Sequence, residues 1–146
     1  MGEATEEALG LYDLWQRRCR SDPGRNHRSS FRQDQRWERG FNRWTINGSS
    51  FDEKAQPRTL QKGKLYRLVF DNQTDDAHPI HLHRNSFELM KVAGKQTAGI
   101  LKDVVLVKGF KQIEVNLTPA MDGLMLFHCH QQLHMDYGFK LLFNVA

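Results

Sequence analysis

Cysteine is scarce in this chain: only Cys19 and Cys129 occur among 146 residues. Once either is committed to other chemistry, no disulfide can form within the chain and any bridge must be intermolecular. Cysteine usage therefore does not decide the redox compartment. Long apolar runs are also missing. No stretch approaches the roughly 20 apolar residues that a membrane-spanning helix needs, so no membrane partner is expected. The opening Met1-Gly-Glu-Ala-Thr-Glu-Glu7 lacks the basic and apolar regions of a secretory signal, so the chain as written is not self-exporting. Repeats and low-complexity segments are absent. The length suits one core of about 105 residues plus an extension of about 40.

Charge is unevenly placed. The first sixteen residues hold four acids and no base, whereas Arg17 to Arg43 holds nine arginines against three acids, a local +6 that exceeds the overall +4. An arginine-rich stretch of this kind reads as a solvated linker draped over a domain; no aromatic-rich RNA-binding motif accompanies it, and no nucleic-acid partner is expected. Ahead of it, Ala8, Leu11, Tyr12, Trp15 and Cys19 recur at steps of three or four, the pattern of an amphipathic helix weakened by Gly10 and ending near Ser21-Asp-Pro-Gly24. The expected division is residues 1–40 as helix and basic linker, and 41–146 as the domain.

That domain reads as short strands. In Gln112-Ile-Glu-Val-Asn-Leu117, Ile113, Val115 and Leu117 would face inward while Glu114 and Asn116 meet water. Similar runs span 41–47, 64–71, 78–83, 87–92, 103–107, 123–130 and 139–145, separated by Gly, Asn, Asp or Pro. The fold class expected is all-β, an antiparallel β-sandwich.

Histidine is the unusual presence. Six of the seven sit in two runs, His78-Pro-Ile-His81-Leu-His83 and His128-Cys129-His130-Gln-Gln-Leu-His134, which also hold one of the two cysteines. Imidazole and thiolate suit copper, zinc and iron, so a metal site is the first hypothesis. Along a strand successive side chains point to opposite faces. His128 and His130 then share one face and Cys129 takes the other, while His81 and His83 fall opposite His78, Ile80 and Leu82. Collected by face, His78, Cys129 and His134 make a two-imidazole, one-thiolate set, leaving His81, His83, His128 and His130. The first set matches a trigonal blue-copper site with a weak or absent axial contact. Met125 and Phe127 lie with Cys129, and Leu124 and Leu126 with His128. A strand apolar on both sides is expected to be covered on its histidine face by something this domain does not itself supply.

These runs resemble the two copper signatures of the C-terminal cupredoxin domain of laccase-like multicopper oxidases. The resemblance covers roughly Gly40 to Ala146, beginning with Gly40-Phe-Asn-Arg-Trp-Thr-Ile-Asn-Gly48. It implies a Greek-key cupredoxin fold, and by matching positions it gives type 1 copper to His78, Cys129 and His134, type 2 copper to His81, and the type 3 pair to His83, His128 and His130. It also implies that Cys129 relays electrons to His128 and His130. The axial position, ten residues after the cysteine, is Phe139, which cannot coordinate; Met135 is a rival that fits the family spacing poorly. Where the family has Gly-His after the third histidine, this chain has Arg84-Asn85, a change expected to alter packing or bonding near the cluster without removing a ligand. Asp103, in Lys102-Asp-Val-Val105, is a candidate to orient a ligand, or simply a strand-end carboxylate.

The resemblance implies a small-molecule electron donor, phenolic, aromatic amine or metal ion, with O2 as acceptor, and a periplasmic or extracellular setting, for which either a longer precursor carries the signal or the chain is a fragment. A complete oxygen-reducing centre in that family needs eight histidines. This chain offers four, and His27 stands alone in the arginine-rich segment, so another cupredoxin domain or a second copy must supply the rest. Three readings follow: an oxidase component, a single-domain type 1 electron carrier that leaves four histidines unused, or a copper-binding fragment without turnover.

Overall fold

A computed structural model describes residues 26–34, 43–54 and 56–146. The helix expected over 4–20, and Cys19 with it, lie outside these residues. Eleven strands and one short helix are described: β1 (Asn26–Asp34), β2 (Arg43–Ile46), β3 (Arg58–Leu60), β4 (Tyr66–Asn72), β5 (His78–Leu82), β6 (Phe87–Val92), β7 (Lys95–Lys102), β8 (Val104–Val107), β9 (Gln112–Leu117), β10 (Gly123–Cys129), α1 (Gln132–Asp136) and β11 (Lys140–Val145). One sheet runs β2-β1-β4-β9-β6-β7 and the other β3-β11-β10-β5-β8. The fold is all-β, as expected from the alternating pattern. In β4 alternate residues from Tyr66 to Asn72 are buried and half-buried, and β5 repeats this from His78 to Leu82.

Three strands escaped the sequence pattern. β3 is three residues long. β7 is hinged to β6 through Ala93 and Gly94, both at positive φ (48° and 82°), the two-residue turn geometry that matches strand twist. β1 is the larger correction, since it lies within the segment expected to be solvated linker. It pairs antiparallel with β2 and parallel with β4, where Phe31 stands opposite Asn72. Its sequence, Asn-His-Arg-Ser-Ser-Phe-Arg-Gln-Asp, offers one large apolar side chain, so its pattern is too weak to read. β3 likewise runs parallel to β11. The sheets are therefore mixed, and the expectation of a purely antiparallel sandwich is corrected at these two pairings.

The sheets face each other across an aromatic core. Phe31 and Phe70 from one sheet meet Phe127 from the other at ring separations of 6.2 and 5.3 Å, and Phe139, just before β11, lies 4.9 Å from Phe31. Beside this core, β10 pairs with β5 so that His128 stands opposite His81 and Cys129 opposite Ile80. Cys129, Phe127 and Met125 are buried on the inner face, whereas Leu124 on the outer face is 55% exposed. The histidine-bearing side of β10 is thus only partly covered by the described residues.

Phe31 is fully buried and ties β1 to both sheets. Phe31→Ala should cost about 3–5 kcal/mol in denaturant unfolding, the usual range for emptying an aromatic core position. A loss below about 1 kcal/mol would mean that β1 is not seated on the core.

Candidate metal centre

The two donor groups assemble on opposite sides of the same strand pair. On the inner side, at the end of the aromatic core, Cys129 Sγ lies 3.7 Å from Nδ1 of His78 and 3.7 Å from Nδ1 of His134, and the two nitrogens are 3.2 Å apart. His78 comes from the start of β5, Cys129 from the end of β10 and His134 from α1. The helix turns His134 back toward the sulfur, and Phe139 N–H donates to the His134 carbonyl at 2.9 Å while Cys129 N–H donates to the Phe139 carbonyl at 3.1 Å. Gly138 makes this return possible: it sits at φ 101°, and any side chain there would collide with Ser50 and press on the Trp44 carbonyl.

These spacings fit a metal. With bonds of about 2.3 Å to sulfur and 2.0 Å to nitrogen, separations of 3.7 and 3.2 Å subtend about 119° and 106° at a shared centre. The three angles sum to about 344°, midway between the roughly 328° of a tetrahedral and the 360° of a planar trigonal arrangement. One thiolate and two imidazoles at that geometry suit copper. Aromatic rings wall one side of the site: Trp44 packs its ring 4.8 Å from His78 and 4.1 Å from His134, and Phe139 lies 4.8 Å from His78 and 5.8 Å from Trp44. Trp44 was visible in the sequence only as part of the opening segment of the resemblance. Its role as a wall of the pocket comes from β2 reaching the Tyr137 carbonyl through Trp44 N–H at 3.0 Å.

On the outer side His81, His83 and His128 bring one ring nitrogen each within 4.8 Å of one another. Nε2 of His83 and Nε2 of His128 face each other at 2.9 Å. His130 is exposed and flanks this trio, its ring 5.7 Å from that of His81 and 5.6 Å from that of His128. Two backbone carbonyls orient the rings. His81 Nδ1 bonds the Asp103 carbonyl at 2.9 Å and His128 Nδ1 bonds the Cys129 carbonyl at 2.8 Å, so in each ring Nδ1 carries the proton and Nε2 keeps its lone pair for a metal. Asp103 does reach a candidate ligand, but through its main-chain oxygen rather than the carboxylate the sequence suggested. His81 and His128 thus present Nε2, whereas His78 and His134 face Cys129 with Nδ1.

Arg84 and Asn85 follow the cluster without breaking it. Arg84 takes φ 62°, a left-handed conformation that glycine adopts at little cost. Its guanidinium donates to the Leu124 carbonyl at 3.3 Å, and Asn85 Oδ1 accepts from Ala120 N–H at 3.0 Å.

Burial favours the neutral forms of His78, His134, His83, His128 and Cys129. Burial, then the nearby His134, lowers His78 to about 4. Burial lowers His134 against the opposing pull of Asp76, and burial followed by neighbouring imidazoles lowers His83 and His128, in His128 against the Cys129 carbonyl bond. Burial pushes the Cys129 thiol up to about 11, opposed by the Gln131 N–H and helped by Asp76. Unprotonated imidazoles are ready ligands, whereas the thiol needs a cation to draw its proton off.

These shifts set the pH behaviour of the metal-free chain. Between pH 6.5 and about 4 the unfolded chain protonates His78's counterpart while the folded chain does not, so stability falls as pH falls, by on the order of 3 kcal/mol across that window. Above pH 9.0 the unfolded thiol ionises first, so stability falls again as pH rises toward 11. Denaturant midpoints of the metal-free chain should peak between these limits; a midpoint that climbs on acidification from pH 6.5 to 4 would contradict the burial of His78.

Comparison with known proteins agrees with this chemistry. The sequence matches the multicopper oxidase family over residues 21–146. It is 35% identical over 95 residues to a multicopper oxidase of Mycobacterium tuberculosis, covering 65% of this chain and 18% of that protein. It is 31% identical over 115 residues to bilirubin oxidase of Albifimbria verrucaria, covering 70% of this chain and 20% of that protein. The chain thus spans about a fifth of the length of these curated relatives. Among solved structures, a Campylobacter jejuni multicopper oxidase described as a metallo-oxidase shares the fold at TM-score 0.73 and 22% identity, over 86% of this chain and 30% of that one. Blue copper oxidase from Nitrosomonas europaea does so at TM-score 0.70 and 23% identity, over 82% and 43%.

Proposed function

This chain belongs to the multicopper oxidase family, and from that premise we propose that it is the copper-bearing cupredoxin domain of a laccase-like oxidase. His78, Cys129 and His134 would hold a type 1 copper, His81 a type 2 copper, and His83, His128 and His130 the type 3 pair. Copper bound here would accept single electrons from a phenolic, aromatic amine or metal-ion donor and, in a completed cluster, pass them to O2 to give water.

The observation that carries this reading is the covalent junction between the two groups. Cys129 contributes sulfur to the inner side, and its two chain neighbours, His128 and His130, stand on the outer side. The path from Sγ to either imidazole is bonded throughout, and the His128 Nδ1 bond to the Cys129 carbonyl offers a hydrogen-bonded shortcut of 2.8 Å. Cys129 is itself fully buried, and Trp44 and Phe139 are buried beside the two imidazoles, so the sulfur is out of contact with solvent. An isolated electron carrier would need only the inner set and would leave the Nε2-presenting cluster without use.

Four imidazoles fill half of the cluster the family uses, so a second domain or a second copy is required for oxygen reduction. The half-open outer face, where Leu124 is exposed on the same side of β10 as His128, supports such a covering surface. The chain spans only part of its relatives, and a neighbouring cupredoxin domain of the same polypeptide is the preferred supplier. The assembled oxidase would work in the periplasm or outside the cell.

Copper titration separates the readings. A stoichiometry above one per chain is expected, with an intense blue charge-transfer band; a single copper per chain would favour the electron carrier. Cys129→Ser should abolish the band, because a hydroxyl is a poor ligand for copper of this kind, and persistence of the band would overturn the type 1 assignment. Phe139→Met should lower the reduction potential by offering a thioether that stabilises the oxidised ion; a potential that rises or stays constant in redox titration would count against Phe139 as the axial residue.

A further inference from the structure

We propose that Thr74, held by Asn72, is a positioning residue that locks His78 in the tautomer protonated at Nε2, so that its Nδ1 lone pair is aimed at Cys129 and His134. The inference rests on the copper reading for its purpose, though not for its geometry. All three side chains are buried: Asn72 is 1% exposed, Thr74 6% and His78 0%.

The proton directions follow from what each group can donate. Asn72 Nδ2 lies 2.7 Å from the Asp76 carbonyl, 3.1 Å from that of Lys108 and 3.2 Å from that of Val107. Three acceptors around one atom require it to be the amide nitrogen, since an oxygen there would face only lone pairs. Asn72 Oδ1 is then the acceptor for Thr74 N–H at 3.0 Å and for the Thr74 hydroxyl at 2.7 Å. The other oxygen near Thr74 Oγ1, the Asp76 carbonyl at 3.5 Å, is also acceptor only. Whichever of the two receives the single hydroxyl proton, none is left for His78. The 2.8 Å contact between Thr74 Oγ1 and His78 Nε2 must therefore be donated by the imidazole. Nδ1 of the same ring is left unprotonated, 3.7 Å from Cys129 Sγ.

The loop that carries Thr74 is itself pinned. Phe110 N–H donates to the Thr74 carbonyl at 2.9 Å and Asn72 N–H donates to that of Lys111 at 3.1 Å. Gly109 lies so close to Asp75 that any side chain would strike its carbonyl. Two adjoining loops thus hold one hydroxyl, and the hydroxyl holds one ring. Without it, a buried Nε2–H would have no acceptor, and the proton would do better on Nδ1, pointing at the thiol or at His134, where it blocks the metal position.

The test reads the tautomer directly. In the purified full chain freed of copper, long-range proton–nitrogen correlation NMR should show His78 protonated at Nε2. Thr74→Val should move the proton to Nδ1 and weaken copper(I) binding, measured by competition with a chromophoric chelator, by about 10- to 100-fold, while Thr74→Ser should keep both the tautomer and the affinity. A wild-type His78 protonated at Nδ1 overturns the proposal even if Thr74→Val does not fold. So does a folded Thr74→Val with unchanged tautomer and affinity, or a Thr74→Ser that behaves like Thr74→Val. A chain that takes up no copper overturns the copper reading instead, and the tautomer measured in the same metal-free sample is independent of that result.

Discussion

Everything functional in this domain depends on one pairing, that of β10 with β5. Because Cys129 stands opposite Ile80 and His128 opposite His81, the inner face of the two strands collects sulfur and the outer face collects imidazole. A shift of one residue would exchange the faces, placing Cys129 among the histidines and His128 in the aromatic core. The register is secured by burial. Met125, Phe127 and Cys129 on β10 and His78, Ile80 and Leu82 on β5 all point into one core, and moving them outward would expose that apolar surface.

The core and the inner site are continuous. Phe31, Phe70 and Phe127 join the sheets, and Phe139 and Trp44 carry the same apolar packing up to the rings of His78 and His134. His78 and Cys129 are consequently buried, and their neutral forms are favoured because burial opposes charge on imidazole and thiol alike. A site of this kind binds a cation by losing the thiol proton, which couples metal affinity to pH and folding to metal. The outer cluster is built differently. Two of its rings, those of His81 and His128, are oriented by backbone carbonyls at Asp103 and Cys129, and part of its face is open to whatever surface completes it.

Histidines of the inner site are held from two directions. His134 is placed by α1 and by the glycine turn that follows, while His78 is placed by strand β5, by a buried amide at the end of β4 and by a buried hydroxyl from the loop between them. Neither support is near its ligand in a way that spacing alone would reveal. Asn72 and Thr74 read as an ordinary polar loop, and Trp44 as one more apolar residue within the expected strand 41–47.

The division between what the chain spells out and what folding adds follows from the range of each interaction. Alternation along a strand is local, so the sequence determined the all-β class, most strands, the separation of Cys129 from His128 and His130, and the two donor groups. It could not reveal β1, whose polar residues are made a strand by pairing with β2 and β4 on either side, nor the parallel pairings that mix the sheets. It pointed to Asp103 but not to the carbonyl that makes the contact, because backbone acceptors carry no residue-type signal. The tertiary structure alone decided which ring nitrogen His78, His81 and His128 present, Nδ1 for the first and Nε2 for the other two, since that depends on hydrogen-bond partners distant in the chain or drawn from its backbone.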